Sequence, residues 1–244
     1  MRYFIEFAYD GSSFFGYQIQ PNQISVQEEL EKALSTILRE PIKTTGAGRT
    51  DTGVHAKKMF AHFETNQDLE ENLVYKLNSF LSENISIKRV FEVPADMHAR
   101  FSATFRTYEY FISPEKDPFT ISSSWQTWRQ KPFDIAAMND ACKILFEYDD
   151  FTSFAKLHTD NKTNICKIYK AEWEQVGNQL KFTISADRFL RNMVRAIVGT
   201  MVEIGTGKLK PNDLRKIIED KYRNSAGVSA PAQGLFLVDV GYEF

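Results

Sequence analysis

A short glycine-rich segment holds the residues best suited to chemistry: glycines at positions 46, 48 and 53 enclose Arg49, Thr50 and Asp51. The glycines permit positive φ angles and let the backbone approach a bound molecule closely. Asp51 supplies a carboxylate that can act as a nucleophile or stabilise a developing positive charge. A turn between two strands explains the glycines but not three polar side chains at its tip. As a bare pattern, a glycine-rich loop with one aspartate is usually structural.

Three arginines form the second candidate group. Arg188, Arg191 and Arg195 fall at helical spacing on one stripe of a largely apolar segment, residues 189–204, that we predict to be a helix. Such a stripe is commonly a solvated face, and Arg188 and Arg191 could equally be surface residues. On a mostly apolar helix, however, confined basic residues favour a carboxylate or phosphate partner, and a guanidinium favours the ionised form of a nearby carboxylate. Arg195 is the strongest candidate of the three.

No residues show metal-ligand or membrane patterns. The histidines at 55, 62, 98 and 158 contain no His-x-x-x-His pair, and the cysteines at 142 and 166 are far apart without a CxxC. Apolar runs stay below the roughly 20 residues of a membrane helix. The N-terminus enters an alternating pattern directly and lacks the character of a signal peptide. These features predict a cytoplasmic protein without a bound metal.

The bulk composition leaves the partner open. The chain has 244 residues, 43% of them hydrophobic and 25% charged, which is ordinary for one large or two smaller globular domains. The net charge of −2 argues weakly against nucleic acid as a partner. Bases nevertheless collect in residues 39–58, 88–106 and 188–195, and local potential attracts phosphate more than net charge does.

The elements that would carry these residues follow a plan that repeats loosely. Hydrophobic periodicity predicts strands at 2–9, 58–64, 85–93, 105–112, 167–173, 180–185 and 235–240, and helices at 26–39, 73–81, 135–146, 189–204 and 211–218. We therefore expect an α+β fold of two related, ferredoxin-like (RRM-like) halves, residues 1–104 and 105–244. The halves should share an extended, mainly antiparallel sheet flanked by helices, with the active-site cleft between them.

A family resemblance adds to this interpretation. Residues 47–56, Ala-Gly-Arg-Thr-Asp-Thr-Gly-Val-His-Ala, resemble the catalytic signature of the tRNA pseudouridine synthase A family. Seven blocks resemble that family in order: 9–18, 25–28, 47–56, 98–104 with Tyr108 and Tyr110, 150–154, 189–195 and 230–238. The chain departs from the family at Tyr17, where many members have Trp, at Ser82, often Pro, and at Lys167, often Arg. None of these departures affects the residues proposed for catalysis.

The resemblance implies a reaction and its partners. Uridine would be isomerised to pseudouridine at positions 38, 39 and 40 of the anticodon stem-loop of tRNA. The bond from N1 to C1′ breaks, the uracil turns, and C5 joins C1′. No electrons or groups pass to another molecule, so we expect no cofactor and no metal. The resemblance also suggests a homodimer whose two subunits share one tRNA.

The resemblance implies roles for individual residues as well. Asp51 would be the catalytic carboxylate, Arg195 its partner, and Tyr108 the ring that contacts the target uracil. We expect Arg49 and Thr50 to hold the backbone of the flipped nucleotide. Arg188 and Arg191 are further candidates for RNA contact. Two leucines, Leu235 and Leu237, could form an apolar wall of the pocket, although ordinary strand core is at least as good an interpretation, as it is by default for Tyr108.

Two other functions remain open at this point. An RNA-binding protein of the same fold without turnover would not need Asp51 together with Arg195. A glycosidase or base-cleaving hydrolase normally pairs two carboxylates about 5 Å apart, and no second acid lies near Asp51 in sequence. The sequence also leaves open whether Asp51 attacks C1′, adds to C6 of the base, or assists a glycal route.

Overall fold

The strands and helices follow the predicted order closely. The structure, a computed structural model, describes residues 1–128, 132–156 and 163–244. The strands are β1 Arg2–Tyr9, β2 Thr45–Gly46, β3 His55–Glu64, β4 Ile85–Val93, β5 Phe105–Ser113, β6 Trp125–Gln126, β7 Ile168–Val176, β8 Gln179–Ala186 and β9 Leu235–Gly241. The α-helices are α1 Val26–Leu38, α2 Leu73–Phe80, α3 Ile135–Ile144, α4 Met193–Gly205 and α5 Asp213–Glu219. The α+β class is confirmed.

The chain divides into two compact units. Unit 1 comprises Met1–Thr104 with Phe236–Phe244, and unit 2 comprises Phe105–Leu235. The expected halves, 1–104 and 105–244, assigned the last strand to the second half. Residues of β9 instead pair in parallel with the start of β3, His55 opposite Phe236 and Ala56 opposite Leu237, which groups the C-terminal residues with unit 1.

The sheet of unit 1 has the strand order β4, β1, β3, β9, with the short β2 paired to β3. β1 runs antiparallel to both β3 and β4. The alternating residues Tyr3, Ile5, Phe7 and Tyr9 are all buried, as their period of two predicts. Helix α1 begins after its N-cap Ser25, whose hydroxyl accepts a hydrogen bond from the Glu28 amide. Helix α2 packs against β4 and α1.

The sheet of unit 2 is built on β5, β8 and β7, which pair antiparallel in that order, with the short β6 parallel to β5. A hairpin at residues 177–178 joins β7 to β8, and Gly177 has a φ of +57°. Helix α3 packs on β7 and on α4. Helix α4 is apolar and nearly all of its residues are buried, so it forms the centre of this unit's core.

The helix predicted to begin at residue 189 begins at Met193, so that prediction was wrong for its first turn. Asn192 has a left-handed φ of +67°, which stops helical geometry from extending toward the N-terminus. The carbonyl of Arg191 accepts a hydrogen bond from the Lys156 amide, outside any helix. Arg188 and Arg191 therefore do not share a helical stripe with Arg195. Among the described residues, no helix has the length and apolar character that a membrane span requires.

Candidate active site

Asp51 lies in a tight loop of unit 1 between β2 and β3. The amide of Val54 donates to the carbonyl of Asp51 at 3.1 Å, and Gly53 has a φ of +78°. A positive φ of this kind favours glycine, so the glycine predicted to shape the loop does so. Asp51 is half-buried, Thr50 is buried and Arg49 is exposed. The buried Thr50 thus anchors the loop, whereas Arg49 is exposed to solvent.

The end of β1 and the segment that follows it hold the loop at Thr50. The hydroxyls of Tyr9 and Thr50 share a buried hydrogen bond of 2.9 Å. The carbonyl of Thr50 accepts from the amide of Tyr17 at 3.2 Å. Gly16, at a φ of +93°, passes so close that a Cβ there would lie 2.7 Å from the Thr50 oxygen. The side chain and the carbonyl of Thr50, the residue before Asp51, are therefore both fixed.

A second anchor lies just after the loop, at His55. Its Nδ1 accepts a hydrogen bond from the amide of Gly11 at 3.1 Å. A Cβ on Gly11 would lie 2.0 Å from the carbonyl oxygen of Val54. The His55 ring stacks on Phe236 at 4.4 Å. These contacts tie residues 54 and 55 to the start of the same segment.

Asp10 completes this anchor. Its carboxylate lies 3.1 Å from Nδ1 of His55 and accepts from the Ser12 amide at 2.9 Å. Burial acts to raise the pKa of Asp10, but the hydrogen bonds from Ser12 and the neighbouring His55 hold it below its usual value. Asp10 is therefore ionised at neutral pH and stabilises the turn from which Gly11 reaches the loop.

The ring of Tyr17 packs against the start of the loop. The ring is buried, and a Cβ on Gly46 would lie 2.4 Å from it, so only glycine fits at the start of the loop. Burial raises the pKa of the Tyr17 hydroxyl. Tyr17 replaces the Trp found in many members of the resembled family, and its role in this structure is packing.

Tyr108 lies in unit 2, on β5 opposite Ile184 of β8. Its ring is half-buried and meets the ring of Phe189 edge to face, with centroids 5.2 Å apart and planes at 88°. Edge-to-face contact restrains the orientation of the Tyr108 ring. Phe189, which we predicted to lie in a helix over residues 189–204, thus contacts the ring of Tyr108.

Arg195 lies in the first turn of α4 and is locked to the chain near Ala230. Its Nε donates to the Ala230 carbonyl at 2.7 Å, and the Ala230 amide donates to the Arg195 carbonyl at 2.9 Å. Tyr110 donates its hydroxyl to the next carbonyl, that of Pro231, at 2.8 Å. Burial raises the pKa of Tyr110, while the charge of Arg195 acts to lower it. The guanidinium is therefore held through Nε.

The remaining candidates are placed less tightly. The half-buried guanidinium of Arg188 donates to the Thr163 carbonyl at 3.2 Å, and Arg191 is exposed. Leu235 and Leu237 are buried, at 6% and 1% exposure. The candidates of unit 1 are Arg49, Thr50, Asp51 and Leu237, and those of unit 2 are Tyr108, Arg188, Arg191, Arg195 and Leu235.

Sequence reasoning missed the residues that hold the site. Tyr9 was recognised only as a strand residue and as part of a resembled block, and Ala230 only as part of another. The blocks were a usable signal, because residues that recur around a catalytic loop often support it. His158 lies outside the described residues. Within the described part, no three or more His, Cys, Asp or Glu side chains form a group that could hold a metal ion.

The comparison with known proteins identifies the family. A family model described as tRNA pseudouridine synthase matches residues 6–102 and 141–243, which include every candidate site residue except Tyr108. The chain is thus an RNA-modifying isomerase. It belongs to the tRNA pseudouridine synthase family, as the resemblance of its motifs predicted.

Relatives curated as tRNA pseudouridine synthase A match along nearly the full chain. The protein of Bacteroides fragilis is 54% identical over 244 residues, covering 99% of this chain and 96% of its own. That of Bacillus subtilis is 37% identical over 246 residues, covering 100% of both. A solved structure of the CRISPR endoribonuclease Cse3 bound to 19 nt RNA covers 99% of this chain and 100% of that chain. Its TM-score of 0.24 and identity of 11% are too low to carry an argument.

Proposed function

We propose that this enzyme isomerises uridine to pseudouridine at positions 38, 39 and 40 of the tRNA anticodon stem-loop, with Asp51 as the catalytic carboxylate. The observation that carries the proposal is the rigid support of the loop. Thr50, which precedes Asp51, is fixed through its side chain and its carbonyl, and residues 54 and 55 are anchored as well. A held carboxylate can meet C1′ of the sugar in a fixed geometry, which is a large source of catalysis.

The proposed reaction balances within one nucleotide. The bond between N1 and C1′ breaks, the carboxylate of Asp51 stabilises the electron-poor sugar, and the rotated uracil bonds through C5 to C1′. The proton on C5 then leaves to water and N1 gains a proton. Since nothing else is exchanged, the reaction needs neither a redox cofactor nor a metal. Whether Asp51 attacks C1′, adds to C6, or assists a glycal route is open to a C2′ deuterium isotope effect.

The other candidates have roles that suit their surroundings. A stem uridine must leave the stack at a cost of a few kcal/mol, and we assign Arg49 and Thr50 to its backbone. Tyr108 stacks on the uracil, with its ring restrained by Phe189. We assign the guanidinium of Arg195 to Asp51 or to phosphate, since a guanidinium forms strong charge-assisted hydrogen bonds with either.

The more peripheral assignments complete the proposal. Arg188 and Arg191 contact phosphates, and Leu235 and Leu237 form the apolar wall that keeps the detached base in place. We propose that the two units are related halves of the ferredoxin type. The enzyme acts as a homodimer, in the cytoplasm where tRNA is processed.

Tritium release from tRNA labelled at C5 of uridine tests the proposal, because the label leaves only when C5 bonds to C1′. Asp51→Asn and Asp51→Ala should lower release by at least about 10⁴-fold while tRNA still binds. Asp68→Asn, at an exposed acid in the same unit, is the matched control and should release label at the parental rate. Parental turnover in Asp51→Asn would refute the assignment.

Two further readouts separate the competing functions. Tight binding of tRNA without tritium release by the parental enzyme would indicate an RNA-binding protein, and free uracil would indicate a hydrolase. For Tyr108, stacking predicts substantial turnover in Tyr108→Phe and little in Tyr108→Ala. Near-total loss in Tyr108→Phe would instead favour a role for its hydroxyl in proton transfer.

A further inference from the structure

We infer that Tyr9 is a positioning residue for the catalytic loop, acting on Asp51 through the hydroxyl of Thr50. The inference rests on the proposed role of Asp51 and extends it to a residue outside the glycine-rich segment. It concerns the last residue of β1, a strand whose residues Tyr3, Phe4, Ile5 and Phe7 are buried in the core of unit 1.

The contact between Tyr9 and Thr50 is buried and well formed. Tyr9 is 4% exposed, Thr50 is 9% exposed, and their oxygen atoms are 2.9 Å apart. Both hydroxyls are buried away from water. Removing one of them therefore deprives the other of this hydrogen bond in the protein interior, which costs free energy. A hydrogen bond of this kind therefore restrains Thr50 more firmly than an exposed one.

The pairing of β1 with β3 is irregular beside this contact. It is regular up to Phe7, which pairs with Met59, and Tyr9 then pairs with Ala56, so two steps along β1 match three along β3 and the extra residue lies in β3. Irregularities of this kind bend the strand that carries them, and they are common beside active sites. This one lies opposite Tyr9, near the start of β3 and just after the Asp51 loop.

Thr50 transmits this restraint directly to Asp51. Its carbonyl belongs to the peptide bond that leads into Asp51, and that carbonyl is held by the Tyr17 amide. Tyr9 fixes the other side of the same residue, so rotation of Thr50 about its backbone is opposed from two directions. A displacement of a catalytic group by about 1 Å can cost on the order of 10²-fold in rate.

The alternative is that Tyr9 merely fills the core, and Tyr3 provides a matched comparison. Tyr3 lies on the same face of the same strand and is 7% exposed. Its hydroxyl lies 3.5 Å from the sulfur of Met1, a weak partner far from the loop in sequence. Tyr3→Phe and Tyr9→Phe therefore delete the same atom from similar surroundings.

Steady-state kinetics with a tRNA transcript, together with thermal unfolding, test the inference. Tyr9→Phe should lower kcat by about 10- to 100-fold with KM within about threefold of parental. Tyr3→Phe should leave both constants at parental values. Both variants should unfold within about 4 °C of the parental Tm, and rates should be compared at a temperature where all variants are folded.

A double-mutant cycle adds a readout that simple core filling would not change. Thr50→Val removes the other hydroxyl, and the variant carrying both changes should have a kcat no lower than the lower single variant. Multiplying losses, a kcat of Tyr9→Phe within about twofold of parental, or a rise in KM at constant kcat would each overturn the inference.

The failure of this inference is distinguishable from failure of the proposed function. If Asp51→Asn abolishes tritium release and Tyr9→Phe is normal, only the positioning role is lost. If Asp51→Asn turns over at the parental rate, the proposed function fails first, whatever Tyr9→Phe does.

Discussion

The Asp51 loop in unit 1 and the start of α4 in unit 2 are both held by close backbone approaches, but the loop also depends on a hydrogen bond between two side-chain hydroxyls. Thr50, next to Asp51, is restrained by the Tyr9 hydroxyl and the Tyr17 amide, which are hydrogen bonds from neighbouring segments. Arg195 is held where the backbone of α4 crosses residues 226–230. A Cβ on Gly199 would lie 1.7 Å from the carbonyl oxygen of Val228.

The difference bears on how each region should respond to substitution. A hydrogen bond can be removed by deleting one oxygen atom, which leaves the backbone path intact and alters mainly the precision of the loop. A backbone crossing cannot be relieved by a rotamer change, so a single methyl group must move one chain away from the other. We therefore expect the Asp51 loop to be sensitive in activity and the Arg195 region to be sensitive in both stability and activity.

After Asp51, replacing Arg195 should give the largest effect on activity. Arg195→Ala should lower kcat by about 10²- to 10³-fold, because it removes the cation proposed to act with Asp51. Arg195→Lys should recover only part of this loss, because an ammonium lacks the planar guanidinium whose Nε bonds Ala230 and whose other nitrogen atoms are proposed to act with Asp51. Tritium release measures both. Arg215→Ala, at an exposed arginine paired with Glu147 in the same unit, is the control and should turn over normally.

An Arg195→Lys variant at the parental rate would contradict the role of the fixed guanidinium. An Arg195→Ala variant within about threefold of parental would contradict any catalytic role for this residue.

Enlarging Gly199 should give the largest change in stability. Gly199→Ala should lower the free energy of unfolding by about 2–3 kcal/mol and reduce turnover as well, since residues 226–230 carry the carbonyl that holds Arg195. Denaturant titration by circular dichroism measures the first effect. Gly48→Ala is the comparison from the Asp51 loop, where a Cβ would meet nothing within 4 Å. Its stability should match the parental protein, and equal losses in both variants would remove the proposed contrast.

The same contrast explains what could be predicted from sequence. The loop was recognisable because its glycines and polar residues are contiguous, and β1, β4 and α2 were recognisable from their periodicity. The beginning of α4 was not, because Asn192 adopts a left-handed conformation and its side-chain Nδ2 donates to the Ser229 hydroxyl at 2.6 Å. The bond between Arg195 and Ala230 joins residues 35 positions apart, and no local pattern predicts it.

Protonation of His62 should have an effect of intermediate size on stability. The histidines within the described residues all lie in unit 1. Burial, the neighbouring His98 and Arg2 lower the pKa of His62 to about 4. In the unfolded chain its pKa is about 6.5. As pH falls below 6.5, His62 becomes protonated in the unfolded state, whereas in the folded state it stays neutral down to about pH 4. Stability is therefore full above pH 6.5 and is lost across this window.

The expected loss attributable to His62 is about 1–2 kcal/mol, since solvent screens part of the shift. His62→Asn is the test, because the amide oxygen of Asn can replace Nδ1 as the acceptor for the Ala99 amide without titrating. Denaturant titrations at several pH values between 7.5 and 4.5 should show a shallower loss in this variant than in the parental protein. Parallel curves would show that His62 does not account for the acid sensitivity.

The smallest expected effects come from the N-caps of α1 and α3, one in each unit. Ser25 accepts from the Glu28 amide at 3.3 Å through a buried hydroxyl, and Asp134 accepts from the Ala137 amide at 2.9 Å through an exposed carboxylate. Ser25→Ala and Asp134→Ala should each cost about 0.5–1 kcal/mol of unfolding free energy. Asp134→Asn keeps the acceptor and should cost only a few tenths of a kcal/mol, which is the interaction of its charge with the helix dipole.

Salt separates the two caps. At about 1 M salt the screening length is about 3 Å, so the difference between Asp134 and Asp134→Asn should vanish while the cost of Ser25→Ala persists. A salt-dependent cost for Ser25→Ala would show that the neutral cap is not acting through its hydrogen bond. A persistent cost for Asp134→Asn would show that the carboxylate contributes by geometry and not by charge. Either result would mean that the two units cap their helices by mechanisms other than those their side chains indicate.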